Sequence, residues 1–179
     1  MFRLKMIRKL RKIWFSFLNR NSEFKEFTPA QKKLFEEIQT GDIVDCWMPL
    51  QPDELLKMSE DHRHQPYYVL EKRESSILCF YGTSTQPDPK KAYARVLVSK
   101  DMYNVWKDGY LCADGMTEIP VDCLIRKLDT LTEQTMQEVN RRITVLRHMG
   151  RYDGPLFPAG IPLRKGDIVL CRKTFFYIY

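Results

Sequence analysis

The chain of 179 residues has no apolar run near the roughly 20 residues needed to cross a bilayer; the densest, Ile13 to Leu18, spans six residues and includes a serine. A membrane-spanning helix is excluded on that ground. The uncharged core of a secretory signal is also missing, because Arg3, Lys5, Arg8, Lys9, Arg11 and Lys12 interrupt the place where it would lie. The expected location is therefore cytoplasmic. Cysteine is sparse, with five residues at positions 46, 79, 112, 123 and 171, and no two make a CxxC pair. An odd count without that spacing fits buried or free thiols in a reducing compartment better than a disulfide frame or a zinc site. No metal and no cofactor are expected.

What is present fits a soluble globular chain, with 44% hydrophobic and 29% charged residues. The length suits one main domain with arms or tails, not two full domains. The net charge of +6 is uneven: residues 1–20 hold seven Lys/Arg and no acid, which leaves 22 basic against 23 acidic side chains for the rest. In that first segment Met6, Ile7, Leu10, Ile13, Trp14, Phe17 and Leu18 recur at steps of three and four, with most of the basic residues between them. This pattern is a basic amphipathic helix. Three roles stay open for it: docking onto the protein's own body, peripheral contact with an anionic membrane or a partner protein, and contact with nucleic-acid phosphates. Residues 19–27 read as a polar hinge, so residues 1–27 form an arm.

The main domain is expected over residues 28–149. Thr28-Pro29 offers an N-cap followed by proline at the first helical position, and a short helix follows to Ile38, ended by Gly41. From there β-branched and aromatic runs (residues 42–47, 67–70, 77–81, 94–98, 110–112 and 121–125) alternate with Pro-, Gly-, Asp- and Ser-rich connectors. Thr132 to His148 then places Met136, Val139, Ile143 and Leu146 at helical spacing, with Thr132 as N-cap. The expected class is mainly β with helices (α+β): a small antiparallel barrel, a C-terminal helix and the N-terminal basic helix. Residues 150–179 should form a Gly/Pro-rich irregular loop to Pro162 and a terminal strand from about residue 165. The opening of that strand, Lys165-Gly166-Asp167-Ile168-Val169-Leu170-Cys171, echoes Thr40 to Cys46, too short a match to establish duplication.

The order of these pieces resembles the MazF/PemK family of toxin endoribonucleases over about residues 41–146. The matching pieces are Gly41-Asp42-Ile43-Val44, then Gln65-Pro66-Tyr67-Tyr68-Val69-Leu70 where the family has Arg-Pro before a hydrophobic strand, then Thr83-Ser84 after the third strand. Last comes Val121 through Ile143 with Leu131-Thr132 and Met136. The resemblance implies an SH3-like barrel that dimerises, cuts single-stranded RNA at short sequences without metal and is countered by an antitoxin protein. Transfer of a phosphodiester to the neighbouring 2′-oxygen calls for a base near the 2′-OH, donors or a cation at the phosphoryl oxygens and an acid for the leaving 5′-oxygen.

The chain departs from the family at Gln65, which stands where the family arginine would and can donate a hydrogen bond without carrying charge. The preceding His62-Arg63-His64 offers a repair: Arg63 for the charge, His62 or His64 as acid or base, provided the strand starts early enough for Arg63 and Gln65 to share a face. An ordinary solvated loop is the other reading of these residues. Thr83 and Ser84 could hold a phosphate, or form a turn into Gln86-Pro87-Asp88-Pro89. Tyr67, Tyr68, Tyr81, Tyr93, Tyr103 and Trp106 supply ring faces for unpaired bases, of which strand alternation should bury most; Tyr67 and Tyr81 are taken as RNA-binding. Lys90, Lys91 and Arg95 are candidate phosphate contacts beside them. Gln65 also keeps open a rival from another class: the same barrel without catalysis, binding RNA or protein.

Overall fold

The computed structural model describes residues 27–50, 54, 57–59 and 62–160; the basic helix expected within residues 1–20 and the terminal strand expected from residue 165 lie outside them. Helix α1 (Pro29–Glu37) starts as its sequence dictates. Thr28 Oγ1 accepts from the Gln31 N–H at 3.2 Å while Gln31 Oε1 accepts from the Thr28 N–H at 3.2 Å, a reciprocal cap that satisfies two donors the helix cannot. Six strands follow: β1 (Asp42–Trp47), β2 (His64–Lys72), β3 (Ser76–Thr83), β4 (Arg95–Val98), β5 (Gly109–Pro120) and β6 (Leu124–Thr130). Helix α2 (Glu133–His148) is capped by Thr132, whose Oγ1 accepts from the Thr135 N–H at 3.2 Å.

All strand pairs are antiparallel, in the order β4-β5-β3-β2-β1-β6. The mainly β fold with helices is thus observed. The two sheet edges, β4 and β6, do not hydrogen-bond to one another as strands. Side chains span the gap instead. From the loop of residues 99–108, between β4 and β5, the Tyr103 hydroxyl meets Thr132 Oγ1 at 3.1 Å and Thr135 Oγ1 at 2.6 Å, and the Asn104 N–H donates to Asp129 Oδ2 at 2.7 Å. Alternation along the strands divides the apolar side chains between two faces. Ile43, Tyr68, Leu70, Phe80, Val96 and Leu111 pack with Val139, Ile143 and Leu146 of α2, whereas Val44, Cys46, Tyr67, Val69, Ile77 and Cys79 pack with Ile38 and, from α1, Leu34 and Phe35.

Three elements differ from expectation. The strand expected at 121–125 begins only at Leu124, since Val121–Cys123 form a 3₁₀ turn. β5 extends through residues 114–118, where Asp114, Gly115 and Glu118 have weak strand preference; pairing of Met116, Thr117 and Glu118 with β3 outweighs it. The loop after α2 is irregular, yet it folds back into the core: Tyr152 and Phe157 pack on Phe80, and the buried Asn140 amide donates to the carbonyls of Phe157 and Ala159 and accepts from the Phe157 N–H at 2.9 Å.

Gly41 joins the layers. Its φ is +93°, its N–H donates to the Val69 carbonyl at 2.8 Å and its carbonyl accepts from Leu131 at 2.8 Å. A Cβ here would stand 3.0 Å from Met136 Sδ. Gly41→Ala should lose more than about 1 kcal/mol from backbone strain alone, read as a lower midpoint in urea denaturation.

Cys46, Cys79, Cys112 and Cys123 are buried thiols. Burial, the largest cause at each of Cys46, Cys79 and Cys112, pushes the thiol up and suppresses the reactive thiolate. A thiol reagent at neutral pH should therefore modify at most one of the five cysteines in the native chain, and all five after denaturation.

Candidate active site

Because β2 and β3 are antiparallel neighbours, the start of one lies beside the end of the other, with Tyr67 opposite Tyr81 and Tyr68 opposite Phe80. The His62–Pro66 and Thr83–Ser84 segments thereby meet at one end of the sheet. Gly82 permits the approach: a Cβ would lie 2.9 Å from the Pro66 carbonyl oxygen and 3.3 Å from the Tyr68 ring. Over this junction is an open cleft of about 130 Å³, whose lining includes His62, His64, Gln65, Thr83 and Ser84 and, from the β4–β5 loop, Trp106 and Lys107. Pockets for drug-sized ligands run to about 300–1,000 Å³, so this cleft suits one group of a longer chain lying across it.

His64 is held in the cleft by three neighbours. Its Nδ1 lies 2.8 Å from Asp45 Oδ1, and its ring makes edge contacts with Trp47 at 5.8 Å and Trp106 at 5.5 Å between centroids. Asp45 is 1% exposed, and its other oxygen lies 3.4 Å from Arg126 Nε. A buried carboxylate is costly unless paired and hydrogen-bonded, and these two partners from β2 and β6 supply that. With the carboxylate ionised and the ring neutral, Nδ1 donates to Asp45 and Nε2 is left as the acceptor. Such a histidine can take a proton at Nε2 and return it, with the carboxylate holding the ring's orientation.

The remaining expected site residues divide. His62 lines the cleft with its Nδ1 2.8 Å from Ser59 Oγ. Thr83 Oγ1 accepts from the Thr85 N–H at 3.2 Å, and the Ser84 side chain is exposed. Gln65 Nε2 donates to the Tyr67 hydroxyl at 3.0 Å, which is one reason the glutamine is only half-exposed. Arg63 is not brought to the cleft. β2 starts one residue after it, and its guanidinium donates to the Met58 carbonyl at 3.1 and 3.0 Å.

The expected RNA-binding residues do not converge. Tyr67 is 2% exposed and its ring packs in the core with α1, so no face is left for a base; burial, only partly offset by the Gln65 hydrogen bond, raises its hydroxyl pKa. Tyr81 faces the same side as Tyr67, pressed against Gly115, where any Cβ would overlap its ring. Arg95 pairs with Asp114 and its side chain is 9% exposed, which leaves little of it for phosphate. Lys90 and Lys91 sit exposed on the 3₁₀ turn Pro89–Ala94, outside the cleft lining.

Asp45 and Lys107 carry no sequence signal of their own. The first is one of two aspartates in a strand-opening pattern and reaches His64 only through the β1–β2 register; the second enters through the path of a ten-residue loop.

The chain is similar in structure to a solved MazF toxin and to solved mycobacterial endoribonucleases. With the Mycobacterium tuberculosis toxin MazF-mt6 it shares 13% identity over 60% of this chain and 96% of that one, with a TM-score of 0.46. With an endoribonuclease from Mycobacterial species in complex with its cognate antitoxin the values are 15%, 65%, 99% and 0.45. With an endoribonuclease from Mycobacterial species they are 15%, 63%, 91% and 0.44. No family model and no curated protein matches the chain.

The Asp45–His64 pair makes a spectroscopic prediction. The neutral His64 ring should carry its proton on Nδ1, visible in long-range ¹H–¹⁵N correlations, and Asp45→Asn should shift the tautomer balance toward Nε2–H. A wild-type ring protonated on Nε2 would contradict the assignment.

Proposed function

We propose that this chain is a MazF/PemK-like toxin, an endoribonuclease that cleaves single-stranded RNA by metal-independent transfer of the phosphodiester to the neighbouring 2′-oxygen. The observation that carries the reading is that the two segments matching the family's site motifs, around Gln65-Pro66 and at Thr83-Ser84, line one cleft with a carboxylate-held histidine. In this mechanism His64 Nε2 takes the proton of the 2′-OH as that oxygen attacks phosphorus. The P–O5′ bond breaks, a 2′,3′-cyclic phosphate forms, and the 5′-oxygen leaves with a proton, for which His62 is the candidate donor. The hydroxyls of Thr83 and Ser84 and the ammonium of Lys107 face the charge that builds on the phosphoryl oxygens. Homodimerisation, control by an antitoxin and a cytoplasmic location belong to the same proposal.

A second reading rests on a specific feature. Gln65 replaces the family arginine and is held by Tyr67, while Arg63 is turned toward Met58. Both favour a barrel that binds RNA or protein without cutting it.

Incubation of the purified chain with long single-stranded RNA in EDTA, followed by mapping of 5′ ends, separates the two. The enzyme reading expects discrete cuts with 5′-hydroxyl ends, slowed about 10²- to 10⁴-fold by His64→Ala. Intact RNA that is nonetheless bound would replace the enzyme with the binding module.

A further inference from the structure

Trp106 is 42% exposed although an indole is among the most favourable side chains to bury. Its exposure does not come from a loose loop. Tyr103 below it is 4% exposed and bound to Thr132 and Thr135, Asn104 is tied to Asp129 and to the Leu128 carbonyl, and Asp108 accepts from the Lys100 N–H at 2.8 Å and from Ser99 Oγ at 3.2 Å. The loop thus holds an open indole at the cleft rim, edge-on to His64. Lys107 beside it is exposed, lines the same cleft and has no hydrogen bond or ion pair among the described residues.

We infer that Trp106 and Lys107 form the nucleotide-seating element of the cleft, with Trp106 stacking an unpaired base beside the nucleotide that His64 acts on and Lys107 meeting an adjoining phosphate. This rests on the ribonuclease reading and adds to it the residues that hold the substrate. Hydroxyls, imidazoles and an ammonium line the cleft beside the apolar Val98 and Val105, and the Asp108 carboxylate there is engaged by its own loop, a mixture that fits a base and its phosphate better than an apolar peptide. Neither residue moves a proton here, and the effect of Trp106 belongs in substrate affinity and not in the chemical step.

The test uses an uncleavable probe, a fluorescein-labelled, fully 2′-O-methylated RNA oligonucleotide of mixed sequence, with binding read by anisotropy. Trp106→Ala should weaken binding roughly 5- to 150-fold, the range of a lost base–aromatic stack, and Trp106→Phe should recover most of it. Lys107→Ala should reduce the slope of log K against log salt by about 0.7. Unlabelled probe should quench the tryptophan emission of the wild type, and Trp106→Phe, which retains Trp14 and Trp47, should lose that quench; this arm does not need the alanine variant to fold. Binding and quench unchanged in both Trp106 variants would overturn the inference while leaving the ribonuclease reading in place. A wild type that neither binds the probe nor cuts RNA would overturn both.

Discussion

The sheet leaves its two edge strands apart, and the hydroxyl of Tyr103 is the contact that ties them together. It is buried, so it must be hydrogen-bonded or cost on the order of 1–3 kcal/mol, and its partners Thr132 and Thr135 lie where β6 passes into α2. The loop that carries it leaves β4 and returns as β5. One polar cluster therefore fixes three things: the approach of the two edges, the start of α2, and the height at which Trp106 and Lys107 stand above the sheet. Asn104 with Asp129 repeats the tie one residue on. The closure expected of a small barrel is here made by side chains instead of a strand ladder, and the cleft is framed by that closure.

A second constraint acts at the other wall. Asp45 is buried in β1 between β2 and β6, and burying its charge is tolerable only with His64 and Arg126 in place. The pairing does two jobs at once: it helps specify the β1–β2 register, because a slip of one residue would turn Asp45 to the face packed with α1, and it sets the plane of the imidazole. Asp42, three residues earlier, is met by Lys127 at 2.8 Å and Thr130 Oγ1 at 2.7 Å, so the same strand is also pinned to β6 by its first carboxylate.

Local patterns were legible in the sequence wherever one short segment decides the outcome. The Thr28-Pro29 and Thr132 caps, the α2 apolar stripe and the cores of β1, β3 and β4 follow from spacing and residue type alone. What was not legible depends on partners distant in sequence. Residues 114–118 become strand because β3 already offers a ladder, and Tyr67 is core and not a binding face because alternation from Tyr68 puts it under α1. The site shows the same division. Gln65, Thr83 and Ser84 line the cleft where motif order brings them and His62 and His64 come from the segment just before Gln65, whereas Asp45 depends on register and Lys107 on the course of a long loop. Arg63 was a reasonable substitute for a missing charge on strand periodicity, but the strand starts at His64 and the Met58 carbonyl holds the guanidinium away.

The glutamine at position 65 then decides how much rate the proposed chemistry can retain. A donor placed on developing phosphoryl charge is worth on the order of 10²- to 10³-fold, and a neutral amide already engaged by Tyr67 supplies little of that. In the proposed mechanism, the absence of an arginine at position 65 raises the barrier without removing the rest of the apparatus. The histidine still has its carboxylate, the hydroxyls of Thr83 and Ser84 remain at the cleft, and Lys107 brings a cation from a different element. A point charge on a flexible stem cannot reproduce the two-pronged hold of a guanidinium, so orientation of the phosphate falls more heavily on the stacked base. Under the proposed ribonuclease reading the loop of residues 99–108 is the compensating element, and affinity for single strands should matter more to the proposed activity than it would with arginine at position 65.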